Sequence, residues 1–187
     1  IHMHPELSNQ EFRTSALVMD QLRSYGLDSV EQIANTGVVV LLRGEGGEGK
    51  CIAIRADMDA LPVTEETGRE KSSTCSGIMH ACGHDAHTAI GLAVAHWVKD
   101  NADKLTGTIK LVFQPAEEGP LPGGAVPIIE SGIVDDVDVF FAYHVTNKHY
   151  VGQVGIKYGT AFIIFIRLVK IGKRFKVSAS AIISHPT

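Results

Sequence analysis

The chain has 187 residues, 44% of them hydrophobic and 20% charged, with a formal net charge of −4 and a pI near 6.1. That length and apolar content suffice for one domain with a real core. The mildly acidic balance offers no basic face to a nucleic acid, and the longest apolar segment, Ala161 to Val169, contains Arg167 and is too short to cross a bilayer.

The opening Ile1-His2-Met3-His4 lacks the basic start and apolar run of a secretory leader, and a first residue other than Met reads as a trimmed N-terminus. Ser8 to Tyr25 is predicted to be a helix. Ser8 caps it, Glu11 completes a capping box, Phe12, Ala16, Val18, Met19 and Leu22 form the apolar side, and Gly26 ends it. Val38 to Leu42 and Cys51 to Ala56 read as strands joined by a glycine-rich hairpin loop, Gly44 to Gly49. Asp85 to Lys99 reads as a second helix, with Ala89, Leu92, Ala93, Ala95, His96 and Trp97 on its apolar side. Thr108 to Phe113 is an apolar strand of the kind buried on both faces, Gly123 to Ser131 a helix, and Val137 to Tyr143 another buried strand. This alternation predicts an α/β domain with a largely parallel central sheet and flanking helices.

In such a sheet, ligands gather beyond the carboxyl ends of the strands. Asp57 and Asp59 follow one strand, Glu117 and Glu118 a second, and His144 a third, while Cys82 and His84 open the second helix. A thiolate and an imidazole two positions apart suit a borderline cation such as Zn²⁺ or Mn²⁺, and a buried cysteine beside a capping histidine suits the same residues equally well. Adjacent carboxylates are usually solvated charge. Glu117 and Glu118, however, follow a strand too apolar for a surface and lie in a turn rich in Pro and Gly, which favours a place at the rim. One could hold a cation while the other moves a proton. Asp57 and Asp59 point the same way and could orient metal-bound imidazoles, and a salt bridge to Arg55 is an equal reading for Asp57. His144 is ligand or packed core with equal weight. The cysteines, at 51, 75 and 82, show no disulfide framework and point to a reduced, cytoplasmic setting.

Five ordered stretches carry a resemblance: His4 to Ser8, Arg55 to Pro62, Met79 to Asp85, Phe113 to Gly119, and His144-Val145. They resemble the M20 metallopeptidase family in its amidohydrolase branch, which includes N-acyl-amino-acid amidohydrolases, hippurate hydrolases and auxin-conjugate hydrolases. The resemblance covers about residues 2 to 160 and implies a zinc-exopeptidase-like catalytic domain. By the same resemblance, Cys82 bridges two divalent cations, zinc or manganese first and cobalt or nickel also admissible. His84, Glu118 and His144 are the further metal ligands. Glu117 is the general base and Asp59 belongs with it in the catalytic set. The implied substrate is an N-acyl amino acid or a related small amide, cleaved to a carboxylate and a free amino acid.

The likeness stops near Gly159 or Thr160, where the family enters a smaller inserted domain for dimerisation and then returns to supply a last metal-binding histidine. Residues 161–187 carry Arg167, Lys170, Lys173, Arg174 and Lys176 but no acid. They read as a divergent basic tail produced by a frameshift or a truncation, and His185 is not matched to the missing ligand. From this follow several expectations: an exposed strand edge, weak or no activity, and a missing homodimer interface. The competing reading is a non-catalytic remnant that binds metal or a partner. A third, a cysteine nucleophile at Cys82 with His80 or His84, leaves the paired glutamates without a task.

Overall fold

Three parallel strands carry the site. They are β3 (Cys51–Asp57), β4 (Thr108–Gln114) and β5 (Val139–Thr146) in a computed structural model that describes residues 1–147, 150, 152–157 and 177–184, with the backbone alone at 156, 157 and 177–184. β3 lies between the other two, pairing Asp57 with Gln114 on one side and Arg55 with Ala142 on the other. Around them the chain adds α1 (Phe12–Ser24), β1 (Val30–Ile33), β2 (Gly37–Arg43), α2 (His84–Asp100), α3 (Ala125–Glu130), β6 (Val154–Lys157) and β7 (Val177–Ser184). The sheet order is β1-β2-β4-β3-β5-β7-β6. The α/β expectation holds, with the parallel pairing confined to the centre; β1, β2 and β6 join antiparallel.

β2 and β3 are not a hairpin. β4 is inserted between them, so Arg43 and Cys51 both face Thr108 across the ladder. The glycine-rich loop closes around the start of β4 instead, with Gly44 N donating to Gly107 O and Gly107 N to Gly47 O. A Cβ at Gly44 would lie 2.2 Å from the Leu105 carbonyl oxygen. The glycines thus admit a third backbone, and local sequence looks the same in either case.

The sheet is covered on both faces. Val38, Val40, Leu111 and Phe113 pack with Val18 and Leu22 of α1 and Leu92, Ala95 and Val98 of α2. On the opposite face Val39 and Val112 pack against Ile128 and Val134. Two helix faces differ from expectation. α2 buries His84, His87, Thr88, Gly91, Leu92, Ala95 and Val98, so Leu92 and Ala95 face the core as expected while Ala89, Ala93, His96 and Trp97 face outward. Gly91 lets the helix approach until an added Cβ would lie 2.8 Å from Phe113. α1 likewise exposes Phe12 and Ala16 and buries Thr14, Ser15, Val18 and Leu22.

The capping box is also absent. The helix begins at Phe12, Ser8 Oγ donates to Asp59, and the N–H groups of Arg13 and Thr14 go to the Glu6 carboxylate. Glu11 is fully buried and accepts from Thr36 Oγ1 and Ala116 N, tying α1 to the turn that holds the paired glutamates. β7, within the basic tail, pairs parallel with β5 from Phe140 to Thr146. Among the described residues no helix is long and apolar enough to cross a membrane. Most of 161–187, His185 included, lies outside the described residues.

Candidate metal centre

The rim formed by the ends of β3, β4 and β5 gathers the residues singled out from sequence. Ligand atoms of Cys82, His84 and His144 lie within 4.8 Å of one another, as do those of His84, Glu117 and Glu118. His84 is thus shared by both groups. It sits at the first position of α2, behind Gly83, whose φ of +85° turns the chain sharply between two donors.

Both histidines present the same nitrogen. His84 Nδ1 lies 2.9 Å from the Asp59 carbonyl oxygen and 3.2 Å from Asp59 Oδ1, so it donates there and Nε2 is the nitrogen that faces the site. His144 Nδ1 donates to the Val145 carbonyl oxygen at 2.6 Å, and its Nε2 lies 3.3 Å from Cys82 Sγ. His84 Nε2 is buried and makes no hydrogen bond of good geometry, yet three carboxylates surround it. Asp57 lies 3.5 Å away, Glu118 3.9 Å and Glu117 4.0 Å. A buried imidazole nitrogen facing acids and a thiol is a poor arrangement for apolar packing and a suitable one for a cation, which would take the place of any proton there. The donor set of sulfur, imidazole nitrogen and carboxylate oxygen fits zinc or a related borderline ion.

Asp59 is an organiser. One carboxylate oxygen lies 3.2 Å from His84 Nδ1, and the other accepts from Ser8 Oγ at 2.6 Å and from Glu118 N at 2.8 Å. It fixes the imidazole and the glutamate turn at once. That turn is strained: Ala116, buried and non-glycine, has φ +49° and is held there by Glu11. Of the two readings for Asp57, the structure shows the salt bridge, an ion pair with Arg55 Nη1 at 2.6 Å. The imidazole that donates to its carboxylate is that of His87, which is outside the candidate ligand set.

The electrostatics follow the geometry. The contact with His144, then the nearness of His84, lowers the Cys82 thiol pKa against the opposing effect of burial. The same contact with Cys82 raises His144. Burial works against a charged His84, but contacts with Asp59 and Cys82 and the charge of Asp57 push it up to about 11 in the metal-free protein. Burial raises Glu117, and the Arg55 guanidinium, 4.0 Å from its Oε1, opposes the rise. Burial likewise works against an ionised Asp57, yet Arg55 and the His87 hydrogen bond hold its carboxyl well below the usual range.

A third trio, Asp57, His84 and His87, is equally close. It is not an equivalent ligand set, because both His87 ring nitrogens are already engaged: Nδ1 with Asp57, and Nε2 with Val145 N at 2.8 Å. His80, suggested as a partner for a nucleophilic Cys82, is buried with neither ring nitrogen hydrogen-bonded. The sulfur lies against His144 instead. Sequence reasoning gave Ser8, Glu11 and His87 no place in the site. Ser8 and Glu11, ahead of an apolar helix, carried a visible signal, and it was the signal of a cap.

Residues 53–185 match Peptidase family M20/M25/M40. The chain belongs to that family. It is 45% identical to N-acetyl-L-cysteine deacetylase of Bacillus subtilis (strain 168) over 159 residues, 85% of this chain and 38% of that protein. It is 41% identical to N-acyl-L-amino acid amidohydrolase of Geobacillus stearothermophilus over 173 residues, 90% of this chain and 46% of that protein. Among solved structures it matches the Bacillus subtilis YXEP protein, described as a dinuclear metal binding peptidase of the M20 family. That match has a TM-score of 0.79 at 38% identity, covering 84% of this chain and 44% of the other. The chain spans about two fifths of the length of curated relatives such as these. The relatives it resembles include a deacetylase, an amidohydrolase and a carboxypeptidase.

Proposed function

We propose that this chain carries the N-terminal portion, residues 1–160, of an M20 catalytic domain that hydrolyses the amide bond of N-acyl amino acids. The products are a carboxylate and a free amino acid, and the setting is the cytoplasm, where thiols stay reduced. The observation that carries the reading is the convergence of Cys82, His84, Glu117, Glu118 and His144 on one rim, with His84 Nε2 buried and without a hydrogen-bond partner. The relatives named for N-acetyl-L-cysteine and N-acyl-L-amino acids support the substrate class.

Cys82, His84, Glu118 and His144 would hold two divalent cations, which supply Lewis acidity to the scissile carbonyl and acidify water. Glu117 takes a proton from the attacking water as oxygen adds to the acyl carbon. It returns that proton to nitrogen as the carbon–nitrogen bond breaks. Burial places its pKa above that of an ordinary glutamate, which makes it the better acid for the second transfer. Asp59 holds His84 and the Glu118 amide in place throughout.

Four donors, one of them shared, fall short of two cations that each favour about four ligands. Turnover by this chain alone is therefore proposed to be weak, with 161–187 standing where the inserted dimerisation domain would begin. The test is metal titration of the purified chain together with hydrolysis of N-acetyl and N-benzoyl amino acids. The expected result is about two cations per chain, with a low, chelator-sensitive turnover that Glu117→Gln removes while metal binding persists. A chain that binds no cation would be a remnant without this chemistry.

A further inference from the structure

His87 is completely buried and sits one turn along α2 from His84. Its Nε2 lies 2.8 Å from Val145 N. An amide nitrogen can only donate, so Nε2 accepts, the imidazole is neutral, and its proton resides on Nδ1, where it is donated to Asp57. The His87 carbonyl oxygen accepts from Tyr143 Oη at 2.6 Å. The ring stands edge-on to His144, centroids 4.6 Å apart at 79°. Residues 143, 144 and 145 of β5 are therefore each referenced to this one side chain or its carbonyl. Behind it, Asp57 is anchored by Arg55, which also reaches Gln114 of β4 through Nε at 2.9 Å.

We propose that His87 is a positioning residue: a neutral imidazole that ties the end of β3 to the end of β5 and thereby sets where His144 presents Nε2 to the cation beside Cys82. The inference rests on the metal-site reading above. His87 itself does not ligate, because both nitrogens are spent. Its influence runs through the Val145 amide and through the face it offers to His144. The ladder from β5 to β3 stops at Arg55–Ala142, while β7 pairs with β5 on its other side as far as Thr146. On the β3 side, His87 takes over from that ladder and holds the end of β5 through the Val145 amide.

The experiment uses the full chain, with Co²⁺ as a spectroscopic probe and Zn²⁺ for affinity. His87→Phe keeps a ring but loses both hydrogen bonds. His87→Gln keeps a carbonyl oxygen able to accept from Val145 N. We expect the Phe variant to bind Zn²⁺ about 10- to 100-fold more weakly and to shift the cobalt ligand-field bands, with Gln recovering much of the affinity. In a His144→Ala background the same Phe change should cost little more, because the ligand it positions is gone. Losses that multiply in the double variant overturn the proposal, and so does wild-type affinity and spectrum in His87→Phe. If His87→Phe does not fold, His87→Gln alone decides: affinity near wild type supports the clamp, and a loss that tracks only its melting temperature overturns it. A wild-type chain that binds no metal removes the metal-site reading as well, which separates that failure from this one.

Discussion

Gly83 lies between two proposed ligands, and the consequence of filling its empty side can be worked from geometry. Its φ of +85° is left-handed, and an added Cβ would stand 2.5 Å from Val145 Cγ2. For Gly83→Ala, the left-handed backbone costs about 1–2 kcal/mol. The overlap with Val145 adds about 1–3 kcal/mol as β5 or the Cys82 loop gives way. The sum, about 2–5 kcal/mol, corresponds to a fall in melting temperature of roughly 4–20 °C for a chain of this size. The clash also pushes apart Cys82 and His144, now 3.3 Å apart, so zinc affinity should fall beyond what lost stability explains. Thermal unfolding of the metal-free protein and zinc competition with a chromophoric chelator measure the two effects. Adding Val145→Ala should relieve the steric part and leave the backbone part. Unchanged melting and affinity in Gly83→Ala would refute the reasoning. So would a double variant no better than the single.

Asp57→Asn should be among the more damaging polar changes. It leaves the Arg55 guanidinium, whose side chain is only 12% exposed, without its closest countercharge, at a cost of about 3–5 kcal/mol by urea unfolding near neutral pH. Because the folded-state pKa of Asp57 lies below its unfolded value, its contribution is complete above about pH 4 and is lost as pH falls toward the folded value. The difference between wild type and variant should therefore shrink in acid. Glu117→Gln runs the other way. The folded Glu117 pKa is raised by burial, so the wild type is favoured below the unfolded pKa and loses that advantage as pH rises through the folded one. The metal-free variant should thus melt higher than wild type at neutral pH and converge with it in acid. A lower melting temperature at neutral pH would contradict the burial argument.

Sequence alone located the elements that carry the site. Apolar runs at 108–113 and 137–143 both gave strands, the first buried from Lys110 to Gln114 and the second, contrary to expectation, half-buried except at Tyr143. Glu117 and Glu118 were legible as candidates just beyond a strand, Cys82 and His84 at the start of a helix, and His144 at an expected strand end, although the strand runs on to Thr146. The partner of each edge was not legible. Hydrogen bonding between strands is the same wherever it occurs, so a glycine-rich link between β2 and β3 could not disclose that β4 runs between them. Nor could periodicity show that α2 meets the sheet through Gly91, with Trp97 facing outward.

The candidate donors and the α/β frame were legible in the sequence, since residue chemistry and apolar strand patterns are local properties of side chains, while the ligand assignment came from the family resemblance. Which nitrogen each histidine offers, which carboxylate organises and which stays free, and the use of His87 as a clamp required the folded chain. Those depend on contacts between residues 25 to 62 positions apart, as with Asp59 and His84 or Cys82 and His144, and only tertiary packing brings them within hydrogen-bond reach.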